Sequence, residues 1–124
     1  MIFAIAIGGA VGSVCRYLIT VWMKGATTEP PVATLLINIT GCFLIGLFAR
    51  AFSTSANNPA VRAALTVGFC GGFTTFSTFS IEFVTMVQDG REARAVAYAV
   101  TSVVVSVLAT VAGLLLGSRL FSTT

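Results

Sequence analysis

Residues 71–80 read Gly71-Gly72-Phe73-Thr74-Thr75-Phe76-Ser77-Thr78-Phe79-Ser80. Paired glycines, five hydroxyl side chains and three evenly spaced rings stand there, in the middle of the third of four apolar segments. Hydroxyls and irregular backbone are costly at membrane depth unless they are buried in protein or line a pathway. This stretch is therefore where function is expected.

The surrounding composition fixes the class. The chain has 124 residues, 56% of them hydrophobic and 9% charged, with a mean hydropathy of +0.99. A soluble domain of this size has too little interior to hide that much apolar surface. An all-α integral membrane protein is expected, with a single four-helix domain over residues 1–124. The first segment starts at Met1 without a basic leader or a small-residue cleavage pattern, so it is expected to be a retained helix. The three cysteines, Cys15, Cys42 and Cys70, fall in three different apolar segments without metal-ligand spacing and read as packing thiols. The net charge of +3 forms no basic cluster, so no nucleic-acid partner is expected.

The apolar runs predict spans over residues 2–22, 32–52, 61–87 and 95–116, each enough to cross a core of about 30 Å. Short polar separators make consecutive helices antiparallel neighbours. With both termini on one side, that side carries Arg50, Arg62 and Arg119, and the other carries Lys24, Arg91 and Arg94. A three-against-three count gives no positive-inside bias. Two readings stay open: a topology fixed by other signals, or insertion in both orientations, which permits an antiparallel homodimer. A lone bundle of four helices could hardly wall off a polar route from lipid, so a dimer is also expected on physical grounds. The spacings Gly8-xxx-Gly12, Gly9-xxx-Ser13 and Gly113-xxx-Gly117 allow close helix contact.

The third segment admits two readings. A straight helix over 61–87 would be about 40 Å long, longer than the hydrocarbon core. A break in mid-membrane would shorten it, with Gly68, Gly71 and Gly72 giving flexibility, Thr74 and Thr75 serving freed backbone groups, and unwound carbonyls offering a cation site. The alternative is an intact helix with a glycine-rich contact surface. Beyond this point Phe73, Phe76, Phe79 and Phe83 keep to one helical face, together with Ser80. Such a stripe is ordinarily packing, but ring edges are positive and can meet a partly desolvated anion.

Other segments add neutral donors. Asn38 lies in the middle of the second span, either as interhelical glue or as an amide donor to a permeating species. Tyr98, Ser102, Ser106 and Thr110 recur at every fourth position and lay one hydroxyl stripe along the fourth helix. Arg16 and Glu82 are ionisable groups at membrane depth and functional candidates by default. There is no histidine, no paired carboxylate and no serine with a plausible base, so no enzyme is expected. A donor-rich, acid-poor inventory suits a small anion. A carboxylate-sized ion already costs of order 20 kcal/mol to desolvate, and a smaller one costs more.

Three motifs then carry a resemblance over the whole length of the chain: Gly8 to Tyr17 (GGAVGSVCRY), Asn38 to Phe43 (NITGCF) and Gly68 to Glu82 (GFCGGFTTFSTFSIE). They resemble the bacterial Fluc (CrcB) fluoride channels. The resemblance implies a dual-topology homodimer in the inner membrane, inserted in both orientations, with two antiparallel pores that passively export fluoride and lower its cytoplasmic level. It also implies a structural sodium ion at the dimer centre, held by main-chain carbonyls of Gly71 and Thr74 from both subunits. The implied pore residues are Phe76, Phe79 and Asn38, with Arg16 as the first-helix arginine. Ser13 stands where the family commonly has alanine, and the fourth-helix stripe rests on spacing. Two alternatives share some of these features: a small dual-topology multidrug exporter, and a membrane assembly subunit that transports nothing. An exporter of cations needs a mid-membrane carboxylate, typically on the first helix, and this first helix has none.

Overall fold

A computed structural model describes residues 1–26, 29–53 and 58–121. The centres of the first two connections, 27–28 and 54–57, and the last residues, 122–124, lie outside the described residues. Everything regular within them is helical: α1 (Ile2–Ala26), α2 (Pro30–Ala51), α3 (Pro59–Ala63), a π-helical stretch (Ala64–Cys70), α4 (Gly71–Phe73), α5 (Phe76–Gln88) and α6 (Glu92–Leu120). Four units are long and apolar enough to cross a membrane, the third running from Pro59 to Gln88. The chain is a multi-pass membrane protein.

Most helix ends lie a few residues beyond the apolar segments, and at the starts of α2 and α3 proline sets the boundary. Pro30 opens α2 after an extended Glu29, and Pro59 opens α3 after Asn58, whose side chain accepts from the Ala60 N–H at 2.9 Å. The α5–α6 turn is closed by Gly90 at φ +72°, the left-handed conformation that glycine adopts freely. The Arg91 and Gly90 N–H groups donate to the carbonyls of Met86 and Val87 at 2.8 and 3.0 Å, which satisfies the last carbonyls of α5.

Two helix pairs organise the bundle. α2 runs along α6, and α1 runs along the first half of the third span. Both contacts rest on glycine, through the absence of a side chain. A Cβ on Gly113 would strike the Phe43 carbonyl, and one on Gly46 would strike that of Thr110. On α1, Gly8 and Gly12 face the carbonyls of Ala64 and Phe69 in the same way. The expected small-residue spacings therefore mark contacts within one chain.

Gly113→Leu is accordingly expected to destabilise the fold by roughly 1–3 kcal/mol. Thermal unfolding in detergent should show it as a lower midpoint. Gly25→Ala, where a Cβ would meet nothing within 4 Å, should leave the midpoint unchanged. Equal midpoints for Gly113→Leu and the parent would remove the close-packing account.

The third span is interrupted, as the first of the two readings has it. The residues that leave helical geometry are Thr74 (φ −79°, ψ 158°) and Thr75 (φ −150°, ψ 116°). Gly71 itself remains helical at φ −65°, ψ −38°. The glycines serve close approach instead: a Cβ on Gly68 or Gly72 would meet the α1 carbonyl of Ile5 or Gly9. Phe73 also departs from the expected stripe. It lies before the break, is 3% exposed and stacks on Phe69 at 5.5 Å, because two extended residues rotate everything after them to another face.

Candidate functional site

An interrupted helix leaves backbone groups that must find partners at membrane depth. Here they are met mostly by side chains. The Thr74 hydroxyl donates to the Cys70 carbonyl at 2.8 Å, and the Thr75 hydroxyl caps α5 by accepting from the Thr78 N–H at 3.2 Å. The Gly72 carbonyl accepts from Arg16 Nε at 3.1 Å and from the Ser13 hydroxyl at 3.4 Å. Asn38 takes both faces of Thr75. Its Nδ2 donates to the Thr75 carbonyl at 3.1 Å, and its Oδ1 accepts the Thr75 N–H at 2.9 Å.

One turn further along α2, a Cβ on Gly41 would strike the Thr74 methyl group. The pair Asn38 and Gly41 thus explains the second motif: an amide clamps the break and the following turn leaves room for it. Within the chain Asn38 is interhelical glue. An amide carries two N–H donors, so the clamp leaves one more for the space it lines.

That space is a groove of about 330 Å³ between α2, α5 and α6. Asn38, Phe76 and Phe79 lie on its wall, facing Ser102, Ser106 and Thr110. The groove lining has no charged residue. The Thr110 hydroxyl is shared between the carbonyls of Cys42 and Ser106, at 3.1 and 3.2 Å. The Ser102 and Ser106 hydroxyls differ: each belongs to a residue 9% exposed, and among the described residues neither has a hydrogen-bond partner. A buried hydroxyl without a partner costs about 1–3 kcal/mol, and these two belong to residues of the groove wall. Phe79 packs on Phe76, Tyr98 and Phe83, with centroids 5.5, 5.1 and 6.3 Å apart. Phe76 is 79% exposed.

A second cavity of about 570 Å³ lies between α1, α2 and α5, with Arg16, Lys24, Glu29 and Glu82 on its wall. Thr75 lines both cavities, so the clamped break stands between a charged vestibule and an uncharged groove. Glu82 accepts from the Thr34 hydroxyl at 2.8 Å and from the Tyr98 hydroxyl at 2.7 Å. These two hydrogen bonds tie Glu82 into a network linking α2, α5 and α6.

The expected site residues therefore divide. Asn38, Phe76, Phe79, Ser102, Ser106 and Thr110 share the groove, Arg16 and Glu82 share the vestibule, and Tyr98 bonds to Glu82. Ser80 belongs to neither wall; its hydroxyl donates to the Phe76 carbonyl of its own helix at 2.9 Å. Thr34 and Thr75 complete the arrangement. Thr34 carries no sequence signal beyond being a hydroxyl one turn before Asn38, whereas Thr75 stands out in the sequence as a hydroxyl able to serve freed backbone groups.

Gly71 and Thr74 line a depression of about 450 Å³ together with Gly41, Cys42 and Cys70, and Thr74 and Cys42 also line the groove. Side chains engage the carbonyls of Cys70, Gly72 and Thr75, and among the described residues no side chain engages those of Gly71 and Thr74. Nothing lies within 4 Å of where a Gly71 Cβ would be. Neutral carbonyl oxygens are the donor type a hard monovalent cation takes, and the Arg62 side chain lines the same depression; among the described residues no cluster of three His, Cys, Asp or Glu is present.

The family model described as CrcB-like protein, Camphor Resistance (CrcB), matches residues 3–114. A protein named fluoride-specific ion channel FluC 1, from Nitrobacter hamburgensis, is 51% identical over 116 residues, covering 91% of either chain. The protein named fluoride-specific ion channel FluC from Nitrobacter winogradskyi is 48% identical over 115 residues, again with 91% of each chain covered. The bearer of the same name in Chlorobium chlorochromatii is 42% identical over 115 residues, 92% of this chain and 89% of that one. The family match, over residues 3–114, takes in nearly all of α1, the interrupted third span and most of α6, and this chain belongs to the CrcB-like family.

Proposed function

We propose that the chain is the subunit of a fluoride-selective channel that passively exports fluoride across the bacterial inner membrane and so lowers cytoplasmic fluoride. The single observation that carries this reading is the pair of buried, unpartnered hydroxyls, Ser102 and Ser106, facing Phe76 and Phe79 in an uncharged groove. A small anion leaving water needs replacement donors at every step. Hydroxyl and amide N–H groups and ring edges supply them without a fixed charge that would trap the ion. The relatives' names point to the same ion. Movement down a gradient through such a lining requires no chemical step, so the protein acts as a conduit and not as an enzyme.

The working unit is an antiparallel homodimer inserted in both orientations, with two pores. Two features support this. The loop charges are balanced, and Phe76, on the groove wall, is 79% exposed on the single chain, which leaves that side of the groove open to a neighbour. A structural sodium ion at the dimer centre fits the carbonyls of Gly71 and Thr74, taken from both subunits. There it would supply fixed positive charge that ties the two broken helices together.

The deciding experiment is fluoride release from liposomes holding the purified protein, followed with a fluoride-selective electrode. Rapid release of fluoride, with chloride retained, is expected. Vesicles that hold both ions would end the channel reading and leave an assembly subunit as the better account.

A further inference from the structure

The vestibule carries an ion pair that the groove does not explain. Glu29 closes the α1–α2 connection, and its carboxylate meets Arg94, in the first turns of α6, at 2.8 Å across 65 residues of sequence. Both side chains are roughly half exposed, at 49% for Arg94 and 43% for Glu29. Glu29 also lines the vestibule together with Lys24 and Arg16. Among the described residues, neither Lys24 nor Arg16 has a carboxylate within ion-pair distance. Of the neighbouring charges, Arg91 is engaged by Asp89 at 3.1 Å, and Glu82 is engaged by Thr34 and Tyr98.

An exposed pair of this kind adds little stability, typically 1 kcal/mol or less. Its larger effect is on where the negative charge sits. Glu29 and Lys24 flank one cavity, and a carboxylate free to turn would pair with that lysine and cancel the field that draws an anion inward. We propose that Arg94 is a positioning residue for anion entry: it holds Glu29 against α6 and thereby leaves Lys24 unpaired to collect fluoride at the vestibule mouth. The inference rests on the channel reading and adds to it how the mouth keeps its charge.

The test is the initial rate of fluoride release from proteoliposomes at low fluoride, where entry limits flux, measured at about 10 mM and about 1 M of an impermeant salt. Surface charges act over roughly 30 Å at the first concentration and 3 Å at the second. At low salt, R94Q is expected to slow release roughly two- to five-fold, the range that corresponds to a surface ion pair. R94K should release as the parent does, and E29Q should equal or exceed it. The double variant E29Q/R94Q should recover the parent rate, because the carboxylate that R94Q sets free is gone. K24Q should slow release, and R94Q should add nothing to it. All these differences should vanish at high salt.

A structural tether predicts another pattern: E29Q and R94Q both slow release, the double variant is no better, and salt changes nothing. That pattern would overturn the proposal, as would an unchanged rate in R94Q. A parent protein that releases no fluoride would overturn the channel reading together with this one. A conducting parent whose variants fail to order by charge overturns this one alone.

Discussion

Asn38→Ala is expected to cost both stability and conduction. The substitution strips the Thr75 N–H and carbonyl of their partners at once. Those groups belong to an interruption at membrane depth, and each partly buried backbone group left unsatisfied there costs up to about 1–3 kcal/mol. A loss of roughly 2–4 kcal/mol is expected in chemical unfolding, with fluoride release reduced at least about 100-fold because Thr75 separates the two cavities.

Asn38→Asp separates clamping from conduction. A neutral carboxylic acid offers one acceptor and one O–H donor and can repeat the clamp, but it keeps no second donor for the groove. An ionised one loses the donor and sets a negative charge on the route. In that variant release should stay well below the parent's, because neither form of the carboxyl keeps a second donor for the groove. Full conduction in Asn38→Ala would sink the role given to the clamp.

The sequence carried the spans more plainly than it carried the site. Long apolar runs announce themselves, and only their ends were short, because Pro30 and Asn58 set the helix starts by local capping outside the apolar stretch. The break was also written in the chain, though less directly. Glycines suggest flexibility, yet Gly71 stays helical, and the β-branched Thr74 and Thr75 take the extended geometry that suits them. What decides this is tertiary: the space at Gly41 and the amide of Asn38, 37 residues away from Thr75. No local pattern could tell glue from lining for Asn38, since the same amide clamps one element and faces the groove.

The fourth-helix stripe was legible because its spacing of four residues is a helical repeat. Its internal division was not. Tyr98 goes to Glu82 and Thr110 to backbone, while Ser102 and Ser106 stay open. The Glu29–Arg94 pair joins two loop-proximal positions 65 residues apart and left no mark on the sequence at all.

Phe76→Ile and Phe79→Ile should each reduce fluoride release at least about 100-fold, equivalent to about 2.7 kcal/mol at the barrier. Isoleucine keeps the apolar character of the wall and removes the positive ring edge, so it tests the electrostatic role against the packing role. The two positions are not equivalent controls. Phe79 touches three other rings, including that of Tyr98, which donates to Glu82. Its replacement should lower stability by about 1–2 kcal/mol and disturb that network as well. Phe76 is 79% exposed on the single chain, so its replacement should leave subunit unfolding unchanged. It is therefore the cleaner variant: a loss of flux at Phe76, with unfolding and elution volume as in the parent, places the effect on the ion and not on the fold. Undiminished release in both variants would show that the rings only pack. The route would then depend on Asn38 and the hydroxyls of Ser102 and Ser106 alone.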